Sequence, residues 1–276
     1  MAWKRTLLFQ TQSPYQNIAF FTETNGTFSL TLDNYWQFNS GVEHIYHETL
    51  FMLPALFPKT LKNVLVLGGG DGLGARDLLA FPTVEKIDVV DLDPEIVKFA
   101  KDNIFMKNLN QDSFNNPRVN LIVTDAKKWL ATAAPQKYDL IIIDFPDPTS
   151  DLLWELYTVE LYQEVTKRLQ PHGVVAIQSS TYNTRGYELI FENLNKVFPR
   201  ILGYHTGASS VFCGFFMCSF SPIKLSRKIP EKAKWLTPKL INSILALPIY
   251  VLPPKIDEPS LIIKNLYLKA IERHGR

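Results

Sequence analysis

Asn63-Val64-Leu65-Val66-Leu67-Gly68-Gly69-Gly70-Asp71-Gly72 decides the fold. A short apolar run that breaks into a glycine-rich turn reads as a buried parallel strand entering a βα loop. The chain beyond it keeps that rhythm. A helix ends near Phe81-Pro82, a second strand covers 87–90 and a helix 94–103. Further strands are expected at 119–123, 140–143 and 174–178, with a helix at 157–169, a helix at 187–197 and a strand at 201–204. Regular alternation of this kind implies an α/β fold, a doubly wound Rossmann-like sheet with right-handed crossovers.

Upstream, the text is different. Residues 17–22 and 28–32 are β-rich and flank Asn25-Gly26, a strong hairpin signal, and Tyr35-Trp36-Gln37-Phe38 adds another strand. From about His44 to Pro58 the apolar spacing turns helical. The expected organisation is therefore a small N-terminal β-domain with a linking helix over 1–60, then a catalytic α/β domain with a C-terminal extension over 61–276. That extension carries Lys224, Arg227, Lys228, Lys232, Lys234 and Lys239 against Glu231, and reads as a solvated basic face.

Composition excludes several classes. Of 276 residues 46% are hydrophobic, enough for a packed core, so disorder is excluded. Lys+Arg (29) nearly balance Asp+Glu (27), which disfavours a nucleic-acid partner. Cys213 and Cys218 are the only cysteines, so neither a disulfide scaffold nor a cysteine zinc site is expected, and a reducing cytoplasm is. Thr6-Leu7-Leu8-Phe9 is too short for a signal segment, and the apolar run 241–252 is interrupted by Asn242, Ser243 and Pro248, so no membrane association is expected.

In an open α/β sheet, ligands bind beyond the carboxyl ends of the strands. Four successive strand ends here carry acids: Asp71, Asp91 with Asp93, Asp125, and Asp144 with Asp147. Each alone reads as a helix cap or turn residue; together they point to a nucleoside. Asp91, about 20 residues beyond the glycine turn, is placed to accept ribose hydroxyls, and Asp125-Ala126 to lie near adenine. Asp71 would repel a pyrophosphate but suits an ammonium, as in S-adenosylmethionine or its decarboxylated form. In Asp144-Phe145-Pro146-Asp147-Pro148, two carboxylates share a proline-stiffened loop. One can take a proton from an alkyl ammonium while the other holds the far cationic end of a diamine. An amine of pKa near 10 is no nucleophile until that proton leaves.

These residues resemble the spermidine synthase family of aminopropyltransferases along nearly the whole chain. Ser13-Pro14-Tyr15-Gln16-Asn17-Ile18 is similar to the family's S-x-Y-Q-x-I, and Leu32-Asp33-Asn34-Tyr35-Trp36-Gln37 to its L-D-G-x-x-Q. Tyr46-His47-Glu48 is similar to Y-H-E, the glycine turn with Arg76 to G-G-G-D-G plus arginine, and the Asp144 loop to D-x-x-D-P. Gln178-Ser179 stands at the family's Q-x. Leu73 after the turn, Asp91-Leu92-Asp93-Pro94 and Leu156-Tyr157 resemble the branch often joined to membrane segments.

The resemblance implies a methyltransferase-type Rossmann-like fold and aminopropyl transfer from decarboxylated S-adenosylmethionine, a co-substrate, with no tightly bound cofactor. Putrescine to spermidine is the simplest reaction. It implies Asp144 as general base, and Asp147, Tyr46 and Gln178 around the amine. Gln16, Gln37, His47, Gly68, Gly70, Asp71, Asp91, Asp125 and Ala126 would hold the donor. A homodimer or homotetramer is implied as well. No metal is expected, His44 and His47 having no third ligand in reach.

The chain departs from the family at Val42-Glu43, where Asp-Glu is usual, at Asn34 for glycine, and at 206–215, where only Gly214-Phe215 of P-T-Y-P-S-G-x-W-G-F survives. The last change concerns the acceptor. Two alternative readings of the chain on the same scaffold are an S-adenosylmethionine-dependent methyltransferase and a nucleoside-binding paralogue without catalysis.

Overall fold

The computed structural model describes residues 5–132, 134, 136–181, 184–207 and 213–245. Ala208–Phe212 of the altered late segment, Met1–Lys4 and the chain beyond Leu245 lie outside these described residues, as does the end of the apolar run 241–252.

Four antiparallel strands open the chain in sequence order: β1 (Arg5–Gln12), β2 (Asn17–Glu23), β3 (Phe28–Leu32) and β4 (Tyr35–Asn39). Two tight turns make this possible. Gly26 takes φ +82° between β2 and β3, and Asp33 and Asn34 take +48° and +65° between β3 and β4. Paired positive φ values suit the right-handed twist of a hairpin. β1 was not expected from the sequence, because its apolar residues are few and mostly exposed. The inner face of the sheet, Ile18, Phe20, Leu30 and Phe38, packs on Ile96, Val97 and Phe99 of α4 (Pro94–Asp102).

The linking helix is α1 (Glu43–His47), a π turn over Glu48–Met52, and α2 (Leu53–Ala55). Its residues Leu50, Phe51 and Leu53 are fully buried in the cluster that covers the large sheet.

Among the described residues the large sheet has seven strands: β5 (Asn63–Gly68), β6 (Lys86–Asp91), β7 (Val119–Val123), β8 (Tyr138–Asp144), β9 (Leu169–Gln178), β10 (Arg200–His205) and β11 (Gly214–Ser219). Their spatial order is 10-11-9-8-5-6-7. β5 to β9 run parallel, and β11 is antiparallel to both its neighbours. β11 is not among the strands expected from the sequence, and among the described residues it is the one reversed strand of this sheet. Helices α3 (Leu73–Leu78), α4, α5 (Ile104–Asn110), α6 (Ala126–Thr132), α7 (Asp151–Trp154), α8 (Val159–Lys167) and α9 (Arg185–Asn195) connect the strands. The sheet is covered on both faces, which is why Val64–Leu67 and Leu140–Ile143 are uninterrupted apolar runs with at most 1% exposure.

Sequence order reverses between β5 and β8, the switch point where such sheets bind ligands. The register there sets Gly68 opposite Asp144. Gly68 has φ +91°, and a Cβ on it would stand 2.2 Å from the Asp144 carbonyl oxygen. Only glycine lets the two strand ends come this close.

In its described part the C-terminal extension returns over the linking helix to α10 (Pro238–Ile244), whose Ile241 and Ile244 enter the core. Lys224, Lys228, Lys232, Lys234 and Lys239 are exposed as expected. Arg227 corrects the reading of a solvated face: its guanidinium turns inward to the carbonyls of Ala55, Pro58 and Lys59. Among the described residues no helix is long and apolar enough to cross a membrane.

Candidate active site

The glycine turn holds Asp91 before anything binds. Gly70 N donates to Asp91 Oδ2 at 2.8 Å and Asp93 N to Oδ1 at 2.9 Å. A Cβ at Gly70 would meet that carboxylate at 2.7 Å. Burial pushes Asp91 up to about 6 against these two amide bonds. Each carboxylate oxygen keeps a further lone pair, so the group can still accept a hydroxyl.

Asp71 Oδ1 accepts from Leu73 N at 2.9 Å, while Oδ2 lies 3.7 Å from His47 Nε2. Behind it runs a buried chain of charge. His47 Nδ1 is 2.9 Å from Glu43 Oε2, and Glu43 takes both Arg76 terminal nitrogens at 2.8 and 2.9 Å. Arg76 Nε donates to Asp77 Oδ1 at 2.8 Å. Burial alone would lower His47, but the carboxylates of Asp71 and Glu43 outweigh it and hold the imidazole well above its ordinary value. Burial would likewise raise Glu43, yet His47 and Arg76 bring it down to about 2. Both carboxylates thus favour the protonated form of His47, whose Nε2 faces Asp71. Glu43 is a residue that sequence reasoning missed: His47 stands four residues on in α1, a helical spacing that could have signalled the pair, whereas Arg76 in α3 is 33 residues away and no spacing marks it.

At the end of β8, Tyr46 donates its hydroxyl to Asp144 Oδ1 at 2.5 Å. Burial raises Asp144 to about 6, with the Tyr46 bond and the His47 charge pulling the other way. Asp147 is exposed, and Gln178 Nε2 donates to its Oδ1 at 2.5 Å. Tyr157, quoted earlier only as part of a motif, lies 3.1 Å from Gln178 Oε1 and 3.0–3.1 Å from the carbonyls of Phe145 and Pro146. Its single hydroxyl hydrogen can go to one of these three acceptors at a time, so Tyr157 stands between the proline loop and the glutamine that holds Asp147.

The remaining expected residues are more dispersed. Asp125 accepts from Lys128 N at 2.8 Å, the capping bond of α6, and Ala126 is buried as the first residue of that helix. Thr124 N donates to Asp91 O at 2.9 Å, which sets Asp125 beside the β6 end. Gln16 gives its amide to Asp93 Oδ2 at 2.8 Å, with Ser13 Oγ on the same oxygen at 2.7 Å. It thus ties the small sheet to the end of β6. Gln37 is exposed on β4, its side chain bonded within its own strand to Tyr35 O at 3.4 Å, and no described hydrogen bond joins it to the acids.

What the cluster offers chemically is a polar floor for a nucleoside, a carboxylate suited to an ammonium, and, one strand away, a second carboxylate able to take a proton. A family model of the spermine/spermidine synthase domain matches residues 43–217. The chain is similar to a polyamine aminopropyltransferase of Leptospira interrogans, 33% identical over 250 residues, 88% of this chain and 49% of that protein. It is also similar to polyamine aminopropyltransferase 2 of Bacillus anthracis, 42% identical over 183 residues, 65% of this chain and 49% of that one. The chain spans about half the length, or less, of the curated relatives it matches. Among solved structures, a spermidine synthase crystallised with the transition-state analogue AdoDATO superposes with a TM-score of 0.81 at 25% identity, over 89% of this chain and 86% of the other. Spermidine synthase from Thermotoga maritima gives 0.79 at 26% identity, with the same coverage.

Proposed function

The chain belongs to the spermine/spermidine synthase family, and from that premise we propose that it moves an aminopropyl group from decarboxylated S-adenosylmethionine to a di- or polyamine. Putrescine going to spermidine is the simplest case, with 5′-methylthioadenosine as the other product. The observation that supports the reading most is the register of Gly68 against Asp144, which brings the glycine turn and the Asp144 loop together at one switch point.

Asp91 would take the ribose hydroxyls, with Asp125 and Ala126 toward the adenine. Asp71, which faces His47 Nε2, would take the donor's ammonium. Asp144 accepts one proton from the attacking ammonium, and the freed nitrogen lone pair forms a bond to the methylene next to the sulfonium. The carbon–sulfur bond breaks, and its electron pair stays on sulfur as a neutral thioether. At a pKa of about 6 Asp144 is a stronger base than an ordinary aspartate, which narrows the gap to the amine. Holding nitrogen and carbon in line supplies much of the remaining rate. Asp147, Tyr46 and Gln178 would position the amine. The reaction asks for no resident cofactor. Assembly as a dimer or tetramer and a cytoplasmic setting belong to the same proposal; the free thiols of Cys213 and Cys218 fit a reducing compartment.

The test is to incubate the protein with each donor and a panel of diamines and polyamines, and to identify products by mass. Methylthioadenosine with an amine heavier by one aminopropyl unit is expected; a methylated amine would overturn the reading in favour of methyl transfer. Calorimetry adds a donor prediction. Asp71 faces an ammonium in the decarboxylated donor and an added carboxylate in S-adenosylmethionine. The decarboxylated form is expected to bind about 10- to 100-fold tighter, the scale of one hydrogen bond to a charged group. Equal affinities would remove Asp71 from this role. On the acceptor side, Asp147→Asn is expected to raise the amine KM by about five- to tenfold and leave donor affinity unchanged. An unaltered amine KM would move the anchor elsewhere.

A further inference from the structure

Glu48 follows the two site residues of α1, Tyr46 and His47, and is only 2% exposed. Its carboxylate accepts three backbone N–H groups of the C-terminal extension: Lys234 at 2.6 Å, Trp235 at 2.8 Å and Leu236 at 2.9 Å. Three converging amides are an anion nest, here filled by the chain's own carboxylate. The indole of the same Trp235 reaches the other way and donates Nε1–H to Thr206 O at 3.0 Å. Thr206 N in turn donates to Cys213 O at 3.2 Å, closing the strand ends of β10 and β11. From there Gly214 N bonds Ser180 O at 2.7 Å and Ser179 N bonds Gly214 O at 3.0 Å, leading to Gln178 and so to Asp147.

Trp235 is therefore attached by its backbone to the element that carries Tyr46, and by its side chain to the end of β10, from which the bonds through Cys213 and Gly214 lead across β11 to the end of β9 and Gln178. We propose that Trp235, fixed by Glu48, is a positioning residue for the acceptor amine: it ties the two carboxylate walls and so sets the spacing at which a diamine is held. The inference rests on the aminopropyl-transfer reading. It gives the C-terminal extension a part in acceptor binding that its basic composition does not suggest. Outer contacts of this kind hold site groups to the few tenths of an ångström that productive geometry needs.

The experiment compares wild type with Trp235→Phe, which keeps the backbone N–H and most of the ring but loses the bond to Thr206. The amine KM is expected to rise about three- to tenfold, as for one hydrogen bond, with donor KM within twofold. Glu48→Gln is the second variant, expected to shift the amine KM in the same direction. Amide hydrogen exchange is read in parallel and is expected to quicken at Thr206 and Gly214 in Trp235→Phe. An unchanged amine KM, or amine and donor KM rising together, overturns the positioning role and leaves Trp235 a packing residue. Should the wild type form no product, the proposed activity fails. Exchange then still decides the tie: quickening at Thr206 and Gly214 supports it, and no change overturns it.

Discussion

Asp144→Asn is expected to lower turnover by about 10²- to 10⁴-fold at neutral pH while both ligands still bind, the usual range for loss of a general base. Asparagine keeps the shape and an oxygen that can accept from Tyr46, so the β8 end should keep its geometry. It cannot accept the amine's proton. The pH profile separates this from a structural defect. In the wild type kcat/KM should rise through about pH 6 as the half-buried Asp144 carboxyl ionises. In the variant that inflection disappears, and the rate climbs toward the amine's own pKa because only amine already neutral in solution can react. A variant with near wild-type turnover at pH 7 would show Asp144 to be structural and would raise the methyl-transfer reading.

The parts of this site legible in the sequence were those held by local rules. The β5 run with its glycine turn, Asp91 at the next strand end, and the doubled aspartate of the Asp144 loop each follow from strand periodicity and turn chemistry. Their meeting at one switch point follows from handedness and strand order. Parts held by distant side chains were not legible. Glu43 meets Arg76 across 33 residues of chain, and no local signal marks such a pair. Arg227 sits in a basic run yet caps carbonyls about 170 residues earlier, so composition alone misassigned it. Gln37 carries the family motif but is exposed on β4, bonded within its own strand. β11 was overlooked for a different reason: an apolar run that follows an altered segment has no turn signal to announce it as a strand. The sequence thus marks groups whose environment is set by their neighbours in the chain, and leaves unmarked those whose environment is set by tertiary packing.

Arg76→Met should reveal how much of the donor site depends on that packing. The Arg76 side chain is 8% exposed, against 1% for Glu43 and 4% for Asp77, and it is the cation both carboxylates share. Removing one member of a buried ion pair typically costs about 3–5 kcal/mol, because the partners stay buried without compensation. Urea titration should show a loss of that size. Asp77 already stands at about 6, raised by burial against Arg76's attraction, and without Arg76 it rises further and is neutral at pH 7. Glu43 behaves differently. Its folded pKa of about 2 lies below the ordinary 4.5, so its contribution to stability is present above pH 4.5 and is lost as pH falls toward 2. In Arg76→Met that value should move up, leaving His47 as the principal counter-charge and shortening the acid-stable range. Glu43→Gln placed on top of Arg76→Met should recover part of the loss, since one uncompensated charge is gone. Donor affinity separates the two parts of the chain: His47 keeps Glu43 beside it in Arg76→Met but not in the double variant. A loss below about 1 kcal/mol in Arg76→Met would mean that water reaches the pair and that the buried charges do not depend on Arg76.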